Sequence, residues 1–298
     1  VTAVSESTPP VLLGSILPDV DVWSERVVVA LGQNPSAFTG PGTNTYLIGT
    51  GKKRILLDTG DGRDEYLPVL EQALERAECE GLQEIVLTHG HPDHIGGAES
   101  VMKRFGEVKV SKRPWPEVDS GYPFAIAPID EGCIIKTEGA TLRGFHAPGH
   151  CPDHLCFMLE EEGAVFSGDN VLGIGTTVIP AESGSLSDYM DSLGKLEAEK
   201  PSRIYPAHGP CIEDGRAKVR QYIEHRMARE VQILAAMSSE PRKVIDIVRV
   251  VYAGYPEALF PAAGQSVTSH LIKLENEGRA ARGAEAHASV LEVEWRTC

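Results

Sequence analysis

The stretch "THGHPDH", residues 88–94, places three histidines and one aspartate within seven positions of a 298-residue chain that has ten histidines in all. Burying such polar groups without partners costs roughly 2–7 kcal/mol each. The spacing H-x-H-x-D-H therefore predicts a shared metal site rather than a set of unrelated core histidines. The apolar run 84–89 before it predicts a buried strand that carries the motif at its C-terminal end.

Backbone geometry suggests how the motif would be used. Alternate residues of an extended strand share a face, so we expect the His89 and His91 imidazoles on one side, where they can bind one cation. Asp93 and His94 follow where the chain turns toward a helix predicted from 94 to about 104. We expect these two side chains to face a second ion beside the first.

Three later residues have the same ligand character and lie at predicted strand ends or in turns next to glycine, which lets the backbone approach a common centre. They are His150 in "APGHCPDH", Asp169 in "FSGDN" and His208 in "YPAHGP". A carboxylate such as Asp169 can bridge two ions, so Asp93 and Asp169 are the predicted catalytic carboxylates. Two ions about 3.5–4 Å apart hold a hydroxide and stabilise both the attacking and the leaving oxygen. The nitrogen-rich ligand set favours Zn²⁺ and leaves Mn²⁺ or Fe open.

Composition excludes several other classes of function. The formal net charge of −15 argues against a broad surface for nucleic acid or anionic lipid. No stretch approaches the roughly 18 apolar residues of a membrane helix, and residues 1–20 resemble neither an intact signal peptide nor a transit peptide. The six cysteines form no C-x-x-C pair, which is typical of reduced thiols. We expect an intracellular protein that is neither secreted nor membrane-bound.

The distribution of charge indicates a domain boundary. Residues 215–298 hold 12 Lys and Arg against 10 Asp and Glu, whereas residues 1–214 hold 16 against 33. We therefore predict an N-terminal extension (1–24), a metal-binding α/β domain (25–214) and a C-terminal helical domain (215–298).

The α/β domain alternates β-rich runs with helical stretches, which predicts a layered αββα arrangement. The predicted strands are 26–32, 43–49, 53–60, 84–89, 132–137, 140–147, 154–161, 164–169 and 203–208, and further helices are 65–78 and 187–199. The C-terminal domain has predicted helices at 215–237, 242–253 and 266–280 and a strand at 288–295. Helices followed by a strand hairpin indicate a winged-helix module.

The motifs "THGHPDH", "PGH", "SGD" and "HGP", in this order, resemble the metallo-β-lactamase superfamily over about residues 25–215. The resemblance implies an αββα metallo-β-lactamase sandwich with two ions. It assigns His89, His91 and His150 to the first ion, Asp93, His94 and His208 to the second, and Asp169 to both. "LLDTG" resembles the first motif of the superfamily, in which Asp58 would orient a ligand. An ordinary turn aspartate is the alternative for Asp58.

Longer segments resemble the β-lactamase-like protein 2 family over nearly the whole chain from about residue 25. They are "NPSAFTGPGTNTYLIGTG", "IIKTEGATLR", "LEEEGAVFSGDNVLGIGTTV" and "DYMDSLGKL". This resemblance implies a metal-dependent endoribonuclease acting on single-stranded RNA, in animals within mitochondria, so we expect the mitochondrial matrix or the cytoplasm. Gly90 stands where animal members commonly carry tryptophan, and 179–190 is longer than the usual connection, which leaves the substrate open.

The ligands alone do not select a substrate, because a metal-activated hydroxide attacks either phosphorus or a carbonyl carbon. Only 38 residues separate Asp169 from His208, which leaves no room for the large inserted domain of messenger-RNA 3′-end cleavage factors. "PGHCPDH" resembles a glyoxalase II turn, and "FSGDNVLG" resembles fungal thioesterases that release polyketides from carrier proteins. A thioester hydrolase acting on acyl-CoA, an acyl carrier protein or a glyoxalase II-like substrate is therefore the alternative to an endoribonuclease.

Several residues are candidates for substrate contact, each with a structural alternative. His154 would contact substrate or hold its turn, and the second role is favoured. Asn44 and Thr45 would face the site from an edge strand or make strand-end hydrogen bonds. The positive charges expected to attract RNA are Lys112, Arg113, Arg216, Lys218, Arg220 and Arg226.

The third helix of the C-terminal module offers only His270 and Lys273 against Glu275 and Glu277, whereas a major-groove reader presents several Arg or Lys. We therefore expect single-stranded RNA as the partner and no sequence-specific DNA binding. The module would act as a lid or a dimer wall beside the metal site. We expect the protein to be a monomer or a homodimer.

Overall fold

The structure is a computed structural model that describes residues 16–283 and 289–298, so most of the predicted N-terminal extension (1–24) lies outside the described residues. The chain divides into two compact units. The first comprises the chain up to Phe145 with Leu155–Gly175 and Arg203–Glu213; the second comprises His146–His154, Thr176–Ser202 and Asp214–Cys298. The second unit thus takes in two segments from within 25–214, and the contiguous domain boundary at 214/215 stays a prediction.

Two β-sheets form the first unit. The larger contains seven strands hydrogen-bonded in chain order: β1 (Val20–Ser24), β2 (Val27–Leu31), β3 (Asn44–Ile48), β4 (Lys53–Leu57), β5 (Gly81–Val86), β6 (Lys109–Lys112) and β7 (Ile126–Pro128). The smaller contains β8 (Ile134–Thr137), β9 (Ala140–His146), β10 (Leu155–Leu159), β11 (Ala164–Gly168) and β12 (Arg203–Pro206). Its strand order is β12-β11-β10-β9-β8. Strands β4 to β7 run parallel, as do β11 and β12.

Side-chain alternation along the buried strands separates two apolar cores. Val28 of β2 points to one face of the large sheet, where it packs with helices α1 (Tyr66–Arg76) and α3 (Ala98–Phe105). Its neighbour Val29 points to the other face and packs with the smaller sheet through residues such as Phe157. Two short helices, α2 (Pro92–Ile95) and α4 (Pro116–Asp119), complete the unit. The first unit is therefore a two-sheet sandwich with helices on the outside of the larger sheet.

The second unit is mainly helical. Its helices are α5 (Leu186–Glu199), α6 (Gly215–Ala236), α7 (Val244–Val251) and α8 (Phe260–Asn276). A small sheet of β13 (Arg242–Lys243), β14 (Ala280–Arg282) and β15 (Glu294–Thr297) has the order β13-β15-β14. Trp295 is fully buried in the core of this unit with Ile233, Val248 and Leu271. Within the described ranges, no helix is both long enough and apolar enough to cross a lipid bilayer.

Several predicted boundaries were wrong, and glycine and proline explain two of them. The predicted helix from His94 to 104 is divided into α2 and α3 at Gly96 and Gly97. A Cβ at Gly97 would lie 2.0 Å from the Thr59 carbonyl oxygen, so only glycine allows this close approach. Helix α8 begins at Phe260 rather than 266 because Pro261 suits the first turn of a helix.

The predicted strand at 288–295 also differs from the structure. Residue 288 lies outside the described residues, Val290–Glu292 form a 3₁₀ turn, and the strand is β15. Hydrophobic alternation alone did not distinguish this turn from a strand.

Candidate metal site

The 88–94 motif lies in a loop. Strand β5 ends at Val86, so the prediction that His89 and His91 share a strand face was wrong. His91 instead takes extended backbone immediately before α2. The two imidazoles are nevertheless adjacent, since His89 Nε2 lies 3.0 Å from His91 Nδ1. Both rings therefore present a nitrogen to the same small volume.

Asp58 follows β4 and anchors this loop. Its Oδ1 accepts a hydrogen bond from the Thr88 backbone at 2.8 Å, and its Oδ2 accepts one from the Thr88 hydroxyl at 2.8 Å. His94 Nδ1–H also donates to Oδ2 at 2.8 Å. With the proton held on Nδ1, the lone pair of His94 lies on Nε2, the nitrogen available to a metal ion. The geometry supports the predicted orienting role of Asp58 over a simple turn role.

Four ligand atoms surround one point in the first unit. His94 Nε2 lies 3.4 Å from Asp93 Oδ2 and 3.4 Å from Asp169 Oδ1. His208 Nε2 lies 3.4 Å and 3.2 Å from the same two oxygens. Ligands bound at about 2.0–2.1 Å around a tetrahedral ion are about 3.4 Å apart.

The surroundings of His94 support the same interpretation. Its Nε2 is buried and makes no hydrogen bond to any residue that the structure describes. A buried nitrogen without a hydrogen bond is costly unless something else binds it. His94, Asp93, Asp169 and His208 therefore fit a divalent ion, and His89 also approaches His94 and Asp169 closely enough to share one.

The His208 loop is held from β3. Asn44 does not lie on an edge strand, because β3 is hydrogen-bonded between β2 and β4. Its amide nitrogen Nδ2 donates to Pro206 O at 2.9 Å and to Gly209 O at 2.8 Å, on either side of His208. His208 Nδ1 lies 3.3 Å from Gly42 O, which leaves Nε2 for an ion. Asn44 thus makes the structural hydrogen bonds that were the alternative to substrate contact.

Thr45, its neighbour on β3, points away from the site. The Thr45 hydroxyl lies 2.8 Å from Ala30 O and 2.7 Å from the Tyr66 hydroxyl, all within the core. Thr45 therefore makes the structural hydrogen bonds that were the alternative to facing the site.

Opposite charges in this cluster shift the pKa values strongly. Burial alone would raise the pKa of Asp93 and Asp169, yet His94 and His208 hold both well below the usual range. Burial alone would lower the pKa of the two histidines, but the carboxylates raise that of His208 to about 9 and that of His94 well above its usual value. Without an ion the cluster therefore holds protons, and a bound cation would take their place.

Two predicted site residues belong to the second unit. His150 Nδ1 lies 2.9 Å from Val178 O, and the preceding Gly149 has φ +122°. His154 is fully buried, and its carbonyl accepts a hydrogen bond from Ala147 N at 3.0 Å, which closes the turn. This contact favours the structural role for His154. The assignment of His150 to the metal centre stays a prediction.

The predicted positive surface is mostly neutralised. Lys112 is fully buried and pairs with Asp119 at 2.8 Å, because β6 carries it into the interior. Arg113 pairs with Asp130 at 2.9 Å, and Arg220 pairs with Glu197 at 2.7 Å. Arg226 is buried. These four residues do not form the exposed cationic surface that the sequence suggested. Of the six positive residues predicted to attract RNA, Arg216 and Lys218 remain as candidates.

His270 of α8 is also inside the core, with 1% of its surface exposed. It is therefore not positioned to read DNA, in line with the expectation of no sequence-specific DNA binding, which remains untested.

Two threonine roles were missed by the sequence analysis. The Thr43 hydroxyl donates to Asp93 Oδ2 at 3.2 Å, and the Thr59 hydroxyl donates to the His94 carbonyl at 2.7 Å. Thr43 lies in "PGTNT" and Thr59 in "LLDTG", so each was already inside a quoted segment. A hydroxyl next to a ligand-bearing loop was the available signal.

A two-sheet α/β sandwich with candidate His and Asp ligands after the C-terminal ends of β5, β11 and β12, and an orienting aspartate after β4, defines a metal-dependent hydrolase class. Residues 38–208 match the family described as the metallo-beta-lactamase superfamily, and residues 244–288 match the beta-lactamase associated winged helix domain. The chain belongs to the metallo-β-lactamase superfamily, and it carries the associated winged helix at its C-terminal end. The predicted fold class and the prediction of a metal-dependent hydrolase are confirmed.

Individual relatives extend over most of the chain. It is 41% identical to a beta-lactamase-like protein 2 homolog of Drosophila melanogaster, over 89% of this chain and 93% of that protein. It is 40% identical to an atrochrysone carboxyl ACP thioesterase of Aspergillus novofumigatus, over 76% of this chain and 68% of that one. A beta-lactamase domain protein from Burkholderia ambifaria shares the fold with a TM-score of 0.79 at 20% identity, covering 99% of this chain and 96% of that one.

Proposed function

We propose that this chain is a dinuclear metal-dependent endoribonuclease that hydrolyses phosphodiester bonds in single-stranded RNA. The proposal is carried by the similarity to a beta-lactamase-like protein 2 homolog over 89% of this chain and 93% of that protein. The sequence resemblance to that family implies an endoribonuclease. The same resemblance leads us to propose action in the mitochondrial matrix or the cytoplasm, and we propose a monomer or homodimer.

The ligand set supports two divalent ions, which we propose are Zn²⁺, with Mn²⁺ or Fe as the alternatives to be tested. When bound, such ions supply an activated water nucleophile and positive charge for the phosphate oxygens. The residues of this chain set the charge and the orientation of the ligands. Asp93 and Asp169 stay ionised at neutral pH, since their pKa values are lowered, and so offset the charge of the ions.

When the His94 and His208 rings are neutral, as a bound ion requires, neighbouring groups hold their remaining protons on Nδ1, away from the ligand nitrogens. Asp58 keeps a proton on His94 Nδ1, and the Gly42 carbonyl accepts one from His208 Nδ1. The Thr43 hydroxyl holds Asp93 through Oδ2. These contacts fix the direction of each ligand before an ion arrives, which is how a preformed metal site is built.

Thioester hydrolysis is the second candidate. It is favoured by the similarity to an ACP thioesterase and by the pairing or burial of Lys112, Arg113, Arg220 and Arg226. A substrate that carries fewer phosphates would need less positive surface than RNA does.

One side-by-side assay distinguishes the two. Purified protein loaded with Zn²⁺, Mn²⁺ or Fe²⁺ is incubated with a single-stranded RNA oligomer and with an acyl thioester, each with and without chelator. We expect RNA cleavage to 5′-phosphate ends, lost with chelator and weakened by salt as counterions compete for phosphate contacts. Thioester turnover without RNA cleavage would replace the endoribonuclease with the second candidate. An Asp169→Asn variant purified in parallel shows whether a contaminating nuclease contributes.

A further inference from the structure

Three consecutive carbonyl groups in Thr177–Ile179, a segment here called the strap, accept hydrogen bonds from three parts of the second unit. Thr177 O accepts from Arg226 Nη2 of α6 at 2.6 Å, Val178 O from His150 Nδ1 at 2.9 Å, and Ile179 O from Ser269 Oγ of α8 at 2.7 Å. The strap has no helix or strand of its own. Its position therefore depends on these side chains.

We infer that Arg226 and Ser269 are positioning residues for the His150 imidazole, acting through the strap. The inference rests on the proposed function and on the ligand set that the sequence resemblance implies, in which His150 binds one of the two ions. When Nδ1–H donates to Val178 O, the lone pair lies on Nε2 and the ring direction is fixed. The carbonyls on either side of Val178 are held by α6 and α8, so the strap cannot shift without breaking one of those bonds.

Arg226 also braces the other side of the His150 turn. Its guanidinium carbon lies 5.4 Å from the centre of the Tyr189 ring on α5. Tyr189 in turn abuts the turn, because a Cβ added to Gly149 would lie 2.4 Å from the Tyr189 backbone. The Ser192 hydroxyl of the same helix donates to Pro148 O at 2.7 Å. The buried Arg226 guanidinium thus contacts both the strap and α5, the helix that packs on the turn.

Burial decides between this role and substrate binding. Arg226 is 5% exposed and Ser269 is also 5% exposed, so neither is available at the surface. A buried guanidinium is costly unless it makes hydrogen bonds; Thr177 O of the strap accepts one from Nη2, whereas the buried Nε has no hydrogen-bond partner among the described residues. The C-terminal helices therefore set the geometry of a residue far away in the sequence, a role different from the predicted lid or dimer wall.

Arg229 provides a matched control on the same helix. Its Nη1 donates to Val251 O at 3.2 Å, and its guanidinium carbon lies 4.2 Å from the centre of the Tyr252 ring. Arg229 thus makes the same two kinds of contact as Arg226, with the end of α7 in place of the strap. Arg226→Met and Arg229→Met each remove one hydrogen bond to a carbonyl oxygen and one contact with an aromatic ring. Only the Arg226 substitution removes contacts with the strap and with the helix beside the His150 turn.

The first test uses metal-free protein labelled with ¹⁵N-histidine, in which the His150 ring signal is identified by its loss in His150→Gln. We expect a slowly exchanging Nδ1 proton in the wild type and in Arg229→Met, and rapid exchange in Arg226→Met. Arg226→Lys, which keeps one cationic donor, should restore part of the protection. If Arg226→Met does not fold, Ser269→Ala loosens the other end of the strap and should give the same change. Equal exchange in Arg226→Met and Arg229→Met would overturn the inference.

The second test titrates the same variants with Co²⁺ and follows its visible absorption. Arg226→Met should lower the affinity for one of the two Co²⁺ ions by about 10–100-fold, the usual effect of removing a group that orients a ligand. The affinity for the other ion should not change. Unaltered binding of both ions would overturn the inference. A wild type that binds fewer than two ions would count against the proposed function instead, and the His150 proton exchange would still decide the positioning role.

Discussion

His94 Nδ1 donates a hydrogen bond to Asp58 Oδ2 at 2.8 Å, and both side chains are almost completely buried. Asp58 has φ +60°, in the left-handed region that few residues other than Gly, Asn and Asp adopt readily. The same carboxylate binds the Thr88 backbone and hydroxyl immediately before the ligand loop. One aspartate therefore connects the end of β4 to the loop after β5 and sets the direction of a ligand.

We expect Asp58→Asn to weaken metal binding by about 10–100-fold, the usual cost of removing a partner that orients a ligand. Asparagine tolerates the left-handed backbone, so the fold should be kept. Competition with a chromophoric chelator measures the affinity. Asp61→Asn, in the same loop and paired with Arg63 at the surface, is the control and should bind metal normally. Similar losses in both variants would contradict the role given to Asp58.

Loss of a ligand should be more severe than loss of its neighbour. Asp169→Asn and His89→Ala are each expected to remove about 4 kcal/mol of transition-state stabilisation, a thousandfold in turnover. Circular dichroism checks that the fold is retained, and elemental analysis counts the ions. Near-normal turnover on the same substrate would show that these residues are not ligands of a catalytic ion.

Metal binding should stabilise the protein more as the pH rises from about 6.5 to 9. Burial alone would lower the pKa of His208, but Asp169 raises it to about 9 in the absence of an ion, above the value of about 6.5 in an unfolded chain. The protonated ring therefore stabilises the metal-free fold below pH 6.5, and this contribution is lost as the pH rises through 9. An ion needs the neutral ring, so its competition with protons weakens over the same range.

Thermal unfolding with Zn²⁺ or with chelator, measured at several pH values in that window, tests this expectation. The difference in Tm should widen with pH. A difference that stays constant or narrows would mean that His208 does not exchange a proton for an ion.

Local sequence patterns were enough for the fold class and for the choice of candidate ligands. The buried strands around Val28 and Ile55 are short runs rich in Val, Ile and Leu, and the histidine spacing in 88–94 has few structural explanations. The stated reason for pairing His89 with His91 was wrong, because the strand ends early and the loop is positioned by Asp58. That contact joins residues 30 positions apart, and spacing along the chain does not reveal it.

The exposure of charged side chains was predicted less well than the fold class. Lys112 looks like a surface cation in "VSKRP", yet it lies on β6 with its ammonium group against Asp119. Arg226 lies in a helix with many polar residues, and only the packing of α5 and α6 shows which face is buried. A charge count along a helix therefore does not predict an RNA-binding surface until the partners of each charge are known.

Acid should destabilise the C-terminal core through His270. Burial, and then the charges of Arg226 and Lys273, lower the pKa of His270 to about 3. The neutral ring contributes stability above pH 6.5, and that contribution is lost as the pH falls toward 3, with a slope of up to about 1.4 kcal/mol per pH unit. Urea unfolding followed by Trp295 fluorescence, in a Trp23→Phe, Trp115→Phe background, reports on this core. His270→Leu should flatten the dependence on pH, and an equal slope in both proteins would contradict the shift.

The close packing of Gly149 on α5 predicts that a larger residue at this position destabilises the protein. Gly149 and Gly106 both have positive φ, at +122° and +98°, so alanine strains the backbone at either position by about 1–3 kcal/mol. A Cβ at Gly106 meets nothing within 4 Å, whereas one at Gly149 would lie 2.4 Å from the Tyr189 backbone. Gly106→Ala therefore isolates the cost of backbone strain.

The difference between the two variants isolates the steric clash. We expect Gly149→Ala to lower the unfolding free energy by several kcal/mol more than Gly106→Ala, which should cost about 1–3 kcal/mol, since a clash with backbone cannot be relieved by a side-chain rotation. Gly149→Ala should also displace the His150 ring, because the residues are adjacent, and so weaken one bound ion even in folded protein. Denaturant titration gives the first quantity and Co²⁺ titration the second. If the two alanine variants are equally stable and bind Co²⁺ alike, then α5 does not hold the turn, and the positioning of His150 must come from the strap alone.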